Sequence, residues 1–203
     1  MDNWKRKKLG DIASFITKGT TPTTNGFNFQ KSGIGFVKIE NINNGAVDLK
    51  SIESFISEEA HFAQSRSILQ KDDLLFSIAG TIGKIALVKE SDLPLNTNQA
   101  LAIIRGYKDE VIPEFLGYTL ISSVLHETKN KARGGALQNI SLADIKNTEI
   151  VYPISKIEQA RIISKLDSLF QKIDKTIEIM QENINHSNSL KNSLLEQAFK
   201  GEL

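Results

Sequence analysis

Forty-four residues near the C-terminus, from Lys156 to Phe199, limit what this chain can become. Apolar side chains recur at Leu166, Phe170, Ile173, Ile177, Met180 and Ile184, in steps that alternate between four and three. That spacing makes a narrow seam, the mark of a coiled coil, rather than the broader stripe of a helix resting on a globule. Written as heptads, Phe170, Ile177 and Ile184 fall at a and Leu166, Ile173 and Met180 at d. Ser187, Lys191, Leu194 and Ala198 continue the register, and no Pro or Gly interrupts it until Gly201. A continuous helix of this length is a rod about 65 Å long. One apolar seam on a rod in water calls for a second helix. Leu166, Phe170, Ile173, Ile177, Met180, Ile184 and Leu194 are therefore the expected dimerisation residues.

With 203 residues in all, what precedes the rod is enough for one globular domain. Hydrophobic residues at 40% indicate a folded chain with a core. No cysteine is present, so disulfides and thiolate chemistry are excluded. Neither a signal peptide nor an apolar run of membrane-spanning length is visible, and a cytoplasmic protein away from membranes is expected.

The net charge of +1 does not point to nucleic acid, but its distribution is uneven. Residues 1–38 carry seven bases against two acids, whereas residues 39–128 carry seven against thirteen. Residues 129–155 return to a surplus of two, and the rod is balanced at seven against seven. If the two basic segments meet in the fold, a neutral protein presents one basic face. Scatter over a solvated surface accounts for the same numbers equally well.

Along the chain, Leu9, Ile12, Phe15 and Ile16 have the spacing of core residues behind the basic run Lys5-Arg6-Lys7-Lys8, which reads first as a solvated terminus. A loop from Lys18 to Gly26 follows, dense in Gly, Pro, Thr and Asn. Phe36, Val37 and Ile39 suggest a strand before the Asn44-Gly45 turn. A short helix is expected to open at Glu58, and a buried strand at Leu74–Ile78 to turn tightly through Gly80–Gly83. The spacing there is wrong for a phosphate-binding loop: two residues separate the glycines and Ile85 follows Lys84. Ala100–Ile104 reads as a strand and Pro113 as the first turn of a helix. Lys129–Asn139 combines three bases, two glycines and three amides in what reads as a flexible basic loop, and a helix stop has the same composition. Ser141 and Asp144 form a capping box, and Glu149–Pro153 is a last strand. The fold class is α+β, strand-rich over 1–153 with a long helix over 154–203.

No catalytic or metal-binding constellation is visible, so neither cofactor nor metal is expected. His61, His126 and His186 stand apart, and acids do not cluster as a metal-dependent nuclease requires.

Tyr152-Pro153 followed by Ile157-Glu158-Gln159-Ala160-Arg161-Ile162 resembles the start of the conserved helix in specificity subunits of type I restriction–modification enzymes. Leu194-Leu195-Glu196-Gln197-Ala198-Phe199-Lys200-Gly201-Glu202-Leu203 resembles the end of the same helix. Lys8–Ile12 with Lys18–Pro22 resembles the beginning of that family's target recognition domain. Gly80–Gly83, Asn96-Thr97-Asn98-Gln99 and Asn139-Ile140-Ser141 also resemble the family where they stand. The resemblance spans the chain, with one recognition domain and one helix where the family usually has two of each. It implies a half-size subunit, starting at Met1 and ending neatly after the rod.

The resemblance further implies a subunit that catalyses nothing. It would read one half of a split double-stranded DNA target, dock methyltransferase subunits and, through them, serve restriction subunits. Lys129, Lys131 and Arg133 are then expected on phosphates, and Thr23, Thr24, Asn25, Gln138 and Asn139 on base edges, with Lys18, Thr20, Thr21 and Lys84 completing the surface. An antiparallel pair of rods would read a palindromic bipartite site. One register sets Phe170 beside Ser187 and another sets Phe170 beside Leu194. A coiled-coil transcription regulator is the alternative, and a toxin or transferase that merely oligomerises through its helix is a third possibility.

Overall fold

The computed structural model describes residues 3–107, 109–131 and 139–202. In chain order the elements are β1 (Trp4–Lys8), α1 (Leu9–Ile12), β2 (Ala13–Lys18), β3 (Ile34–Val37), β4 (Ile42–Asn43), β5 (Ala46–Val47), β6 (Phe55–Ile56), α2 (Glu58–Ala63), β7 (Leu74–Ser77), β8 (Ile85–Leu87), β9 (Leu95–Thr97), β10 (Leu101–Tyr107), α3 (Pro113–Lys131), α4 (Leu142–Asn147), β11 (Glu149–Pro153) and α5 (Lys156–Lys200). This is the expected α+β arrangement, strand-rich before one long helix. The chain divides into two compact units, 1–160 and 161–203, and the first turn of α5 belongs to the globular one.

A four-stranded antiparallel sheet in the order β2-β10-β7-β8 forms the centre of the globular unit. Its middle strands read as unbroken apolar runs because both faces are covered. Leu75, Leu101 and Ile103 join Val37, Ile42, Leu69, Val88 and Leu95 in one core cluster, while α3 packs on β7, β8 and β11. Leu74, Phe76, Ala102 and Ile104, at the alternate positions, are equally buried. Each large apolar side chain buried this way contributes about 1.5–3 kcal/mol. A second sheet, β6-β3-β9, sets β9 parallel to β3. Asn44 and Gly45, with φ of 47° and 75°, make the two-residue turn joining β4 to β5, and a backbone bent that way suits Asn-Gly.

Several expectations are corrected. Phe15 stays 39% exposed and lies under the Arg105 guanidinium, whose carbon is 5.2 Å from the ring centre. Ile39 starts a 3-10 turn instead of extending the strand. Helix α3 runs on to Lys131, so the basic segment begins within a helix rather than in a loop. The basic run at the N-terminus is no loose end: β1 pairs with β11 from Trp4↔Pro153 to Lys8↔Glu149. Its charges are absorbed there, with Lys5 and Lys7 on Glu110 at 3.1 and 2.5 Å and Arg6 on Glu149 at 2.6 Å.

Along α5 the a and d side chains are exposed, among them Phe170, Ile173, Ile177, Met180, Ile184 and Leu194, while Leu166 is half-buried. Among the described residues no helix is long and apolar enough to cross a membrane.

Candidate nucleic-acid interface

Strand register brings the loops of interest to one end of the central sheet. β2 and β7 both run antiparallel to β10, with Lys18 opposite Ala102 and Ser77 opposite Leu101, so both finish at the same end. Their ends are two strand spacings apart, about 10 Å. Asn139 bridges to Ala79 just beyond β7, and the Ile140 N–H donates to the Ile78 carbonyl at 2.8 Å. The end of the basic segment is thus fastened at this edge. Lys38 follows β3 as Asn98 follows β9 in the parallel pair, which adds the second sheet to the same end.

The loop after β2 has a fixed base and an exposed tip. Gly19 lies so close to the end of β9 that a Cβ would fall 2.1 Å from the Thr97 carbonyl oxygen, so only Gly fits. The Thr20 N–H donates to that carbonyl at 3.2 Å. Thr21 Oγ1 donates to Gln99 Oε1 at 2.5 Å. Arg66, on the 3-10 turn after α2, donates to Thr20 Oγ1 through Nε at 3.1 Å and Nη2 at 3.0 Å. The tip is a 3-10 turn over Pro22–Asn25 closed by Gly26, and Thr23, Thr24 and Asn25 are exposed on it.

Other expected site residues divide by environment. Lys18 and Asn139 are exposed. Lys84 is half-buried, and its ammonium donates to the carbonyls of Ile39 and Ile42 at 3.3 and 3.2 Å, so it braces the tight turn from within. Ser77 Oγ holds the same turn, donating to the Thr81 carbonyl and accepting from the Lys84 N–H. Arg133 and Gln138, and the side chains of Lys129 and Lys131, lie outside the described residues. Three residues at this end were missed as contacts: Arg66, Gln99 and Lys38, whose ammonium sits 5.4 Å from the Phe29 ring centre. A polar Gln-Ser-Arg-Ser stretch was the only trace of Arg66, since its partner Thr20 is far away in sequence.

The opposite end of the sheet has a different character. There Arg105 forks onto Asp73, Nε to Oδ1 at 2.6 Å and Nη2 to Oδ2 at 2.7 Å. Tyr107 donates to the Asp72 carbonyl, and burial first, then the nearby Asp72 charge, pushes its hydroxyl well above the usual range. Lys7, then Lys5, hold the Glu110 carboxyl down to about 2. Cations at this far end are largely paired with acids. At the loop end Lys18, Lys38 and Arg66 form no ion pair among the described residues. No group of three or more His, Asp or Glu among the described residues could hold a metal ion.

A family model described as the type I restriction modification DNA specificity domain matches residues 1–186. The chain belongs to this family. Among its relatives, the type I restriction enzyme EcoBI specificity subunit of Escherichia coli is 33% identical over 174 residues, covering 85% of this chain and 36% of the relative. The EcoAI specificity subunit of Escherichia coli is 27% identical over 188 residues, covering 86% of this chain and 29% of the relative. This specificity-domain chain therefore spans about a third of the length of those relatives. A solved structure from work on complex assembly and conformational transition of the type I R-M system has the same fold, with a TM-score of 0.73, 21% identity and coverage of 100% of this chain and 47% of that one. The HsdS subunit from Thermoanaerobacter tengcongensis has it too, with a TM-score of 0.63, 21% identity and coverage of 100% and 46%. The transcription-regulator alternative gains no support from these matches.

Proposed function

We propose that this chain is a DNA-recognition subunit of a type I restriction–modification system, reading one half of a bipartite double-stranded target and catalysing nothing itself. The observation that carries this, in a chain of the specificity-domain family, is the gathering of the loop after β2, the turn after β7 and Asn139 at one sheet end. Lys18, Lys38 and Arg66, which form no ion pair among the described residues, lie beside them. Lys18, Thr23, Thr24, Asn25 and Asn139 are exposed at that end and are the residues assigned to DNA. Phosphates are held there by the bases, and the amides and hydroxyls suit base edges. Residues 1–153 act as the recognition domain. Residues 154–203 act as the rod that pairs with a second copy and docks methyltransferase subunits.

Co-purification tests the reading directly. The tagged chain is expected to capture a methyltransferase subunit from its own cells, and mapping of methylated bases is expected to give a split motif that disappears when this chain is deleted. A methylation pattern unchanged by the deletion overturns the proposal.

A further inference from the structure

Thr20 and Arg66 meet in an arrangement that leaves each with a defined remainder. Arginine can only donate, so with Nε and Nη2 both on Thr20 Oγ1, the hydroxyl oxygen accepts twice and its two lone pairs are taken. What Thr20 retains is its proton, and among the described residues nothing accepts it. Arg66 retains three of its five N–H groups and its full charge. Its side chain is exposed, it makes no ion pair among the described residues, and Thr20 beside it is half-buried at the base of the loop. An O–H donor next to a guanidinium edge with spare donors is complementary to an anion with several acceptor oxygens.

We propose that Arg66 and Thr20 form a clamp for one phosphate of the DNA backbone, with Arg66 also holding Thr20 as a one-way donor. This rests on the DNA-reading proposal above and adds to it a contact that fixes register rather than sequence. Thr97 holds the loop base from behind through its carbonyl, and Gly19 permits no side chain there, so the clamp belongs to the fixed part of the loop. The exposed tip of Thr23, Thr24 and Asn25 is left for the bases. A clamped phosphate at its foot would set the depth at which that tip enters a groove.

The test uses the full chain assembled with its methyltransferase subunits and a duplex carrying the mapped site. Arg66→Ala is expected to weaken binding about tenfold at low salt and to flatten the dependence of log affinity on log salt by about one unit. Lys89→Ala, the same charge change at the far end of the sheet, is the control and is expected to change neither. Thr20→Val should weaken binding about fivefold with the salt slope kept, while Thr20→Ser restores it. Unfolding midpoints of all four variants are compared with that of the parent, so that loss of fold is recognised. Single neutral methylphosphonate linkages are then walked along both strands. One linkage should weaken the parent complex and leave the Arg66→Ala complex unaffected. If parent and variant respond alike at every linkage, or if the Arg66→Ala and Lys89→Ala slopes coincide, the clamp is wrong. A parent complex that fails to prefer the mapped duplex over a scrambled one removes the DNA-reading proposal, and the clamp with it.

Discussion

Asp73 is fully buried, yet it carries a charge. It is tolerated because Arg105 forks onto both carboxylate oxygens and the Gln70 N–H adds a third donor at 2.7 Å. Removing one partner of such a pair strands the other, so Arg105→Met is expected to lower the unfolding free energy by about 3 kcal/mol, measured by urea denaturation. Glu110 supplies a pH dependence. Its folded pKa is depressed to about 2 by Lys7 and Lys5, below the ordinary 4.5. A depressed carboxylate contributes stability that is present above the unfolded value and lost as pH falls through the folded one. The stability difference between the parent and Glu110→Gln should accordingly be largest at pH 5 and above and shrink steadily toward pH 2. A difference that stays constant between pH 5 and 2.5 contradicts the assignment. At this scale the sequence was only partly legible. Ser141 and Asp144 announced their capping box by spacing alone, and the structure has it, with reciprocal bonds of 3.1 and 3.2 Å. Arg105–Asp73, Lys7–Glu110 and Arg66–Thr20 were invisible, because each joins residues that only the fold brings together.

Element by element, strands were legible where both faces are covered, since β7 and β10 then become unbroken apolar runs, and turns where Asn-Gly demanded positive φ. Edges were not. β1 looked like a solvated basic tail because its acidic partners lie in the loop before α3 and on β11. The Glu158-Gln159 pair at the start of α5 was recognised only as a family likeness, and the structure gives Gln159 a physical role. Its side chain is fully buried, Oε1 accepting from the Ile112 N–H at 2.8 Å and Nε2 donating to the carbonyls of Glu110 and Pro153 at 2.9 and 2.8 Å. One amide thereby ties the first turn of α5 to β11 and to the segment before α3. Gln159→Leu would leave three main-chain groups without partners and should cost about 3 kcal/mol. The Ile112 amide is also expected to exchange faster with solvent than neighbouring amides. If its exchange is unchanged, the clamp is not what holds that turn.

For the whole molecule, the proposed pairing of α5 with a second copy of itself can be tested by its direction. Its seam has bulky Phe170 toward one end and Ser187 and Lys191 toward the other. A parallel pair would stack Lys191 on its twin, setting like charges across a short gap. An antiparallel pair avoids this, bringing either Ser187 or Leu194 opposite Phe170. Two copies related by a twofold axis present the same reading surface twice, so the target should consist of inverted half-sites. Ile173 and Ile177 sit in the middle of the seam and are both exposed in the single chain, so Ile173→Asp with Ile177→Asp should give monomers by sedimentation and abolish methylation in the assembled complex. The chain's lack of cysteine makes a trapping experiment clean. Leu166→Cys alone should stay uncrosslinked under oxidation, because antiparallel copies hold the two sites far apart. Pairing Leu166→Cys with Lys191→Cys should crosslink if Phe170 faces Ser187, since that register brings 166 opposite 191. Efficient crosslinking through Leu166→Cys alone means a parallel pair, and then the inverted arrangement of half-sites has no basis in the protein's symmetry.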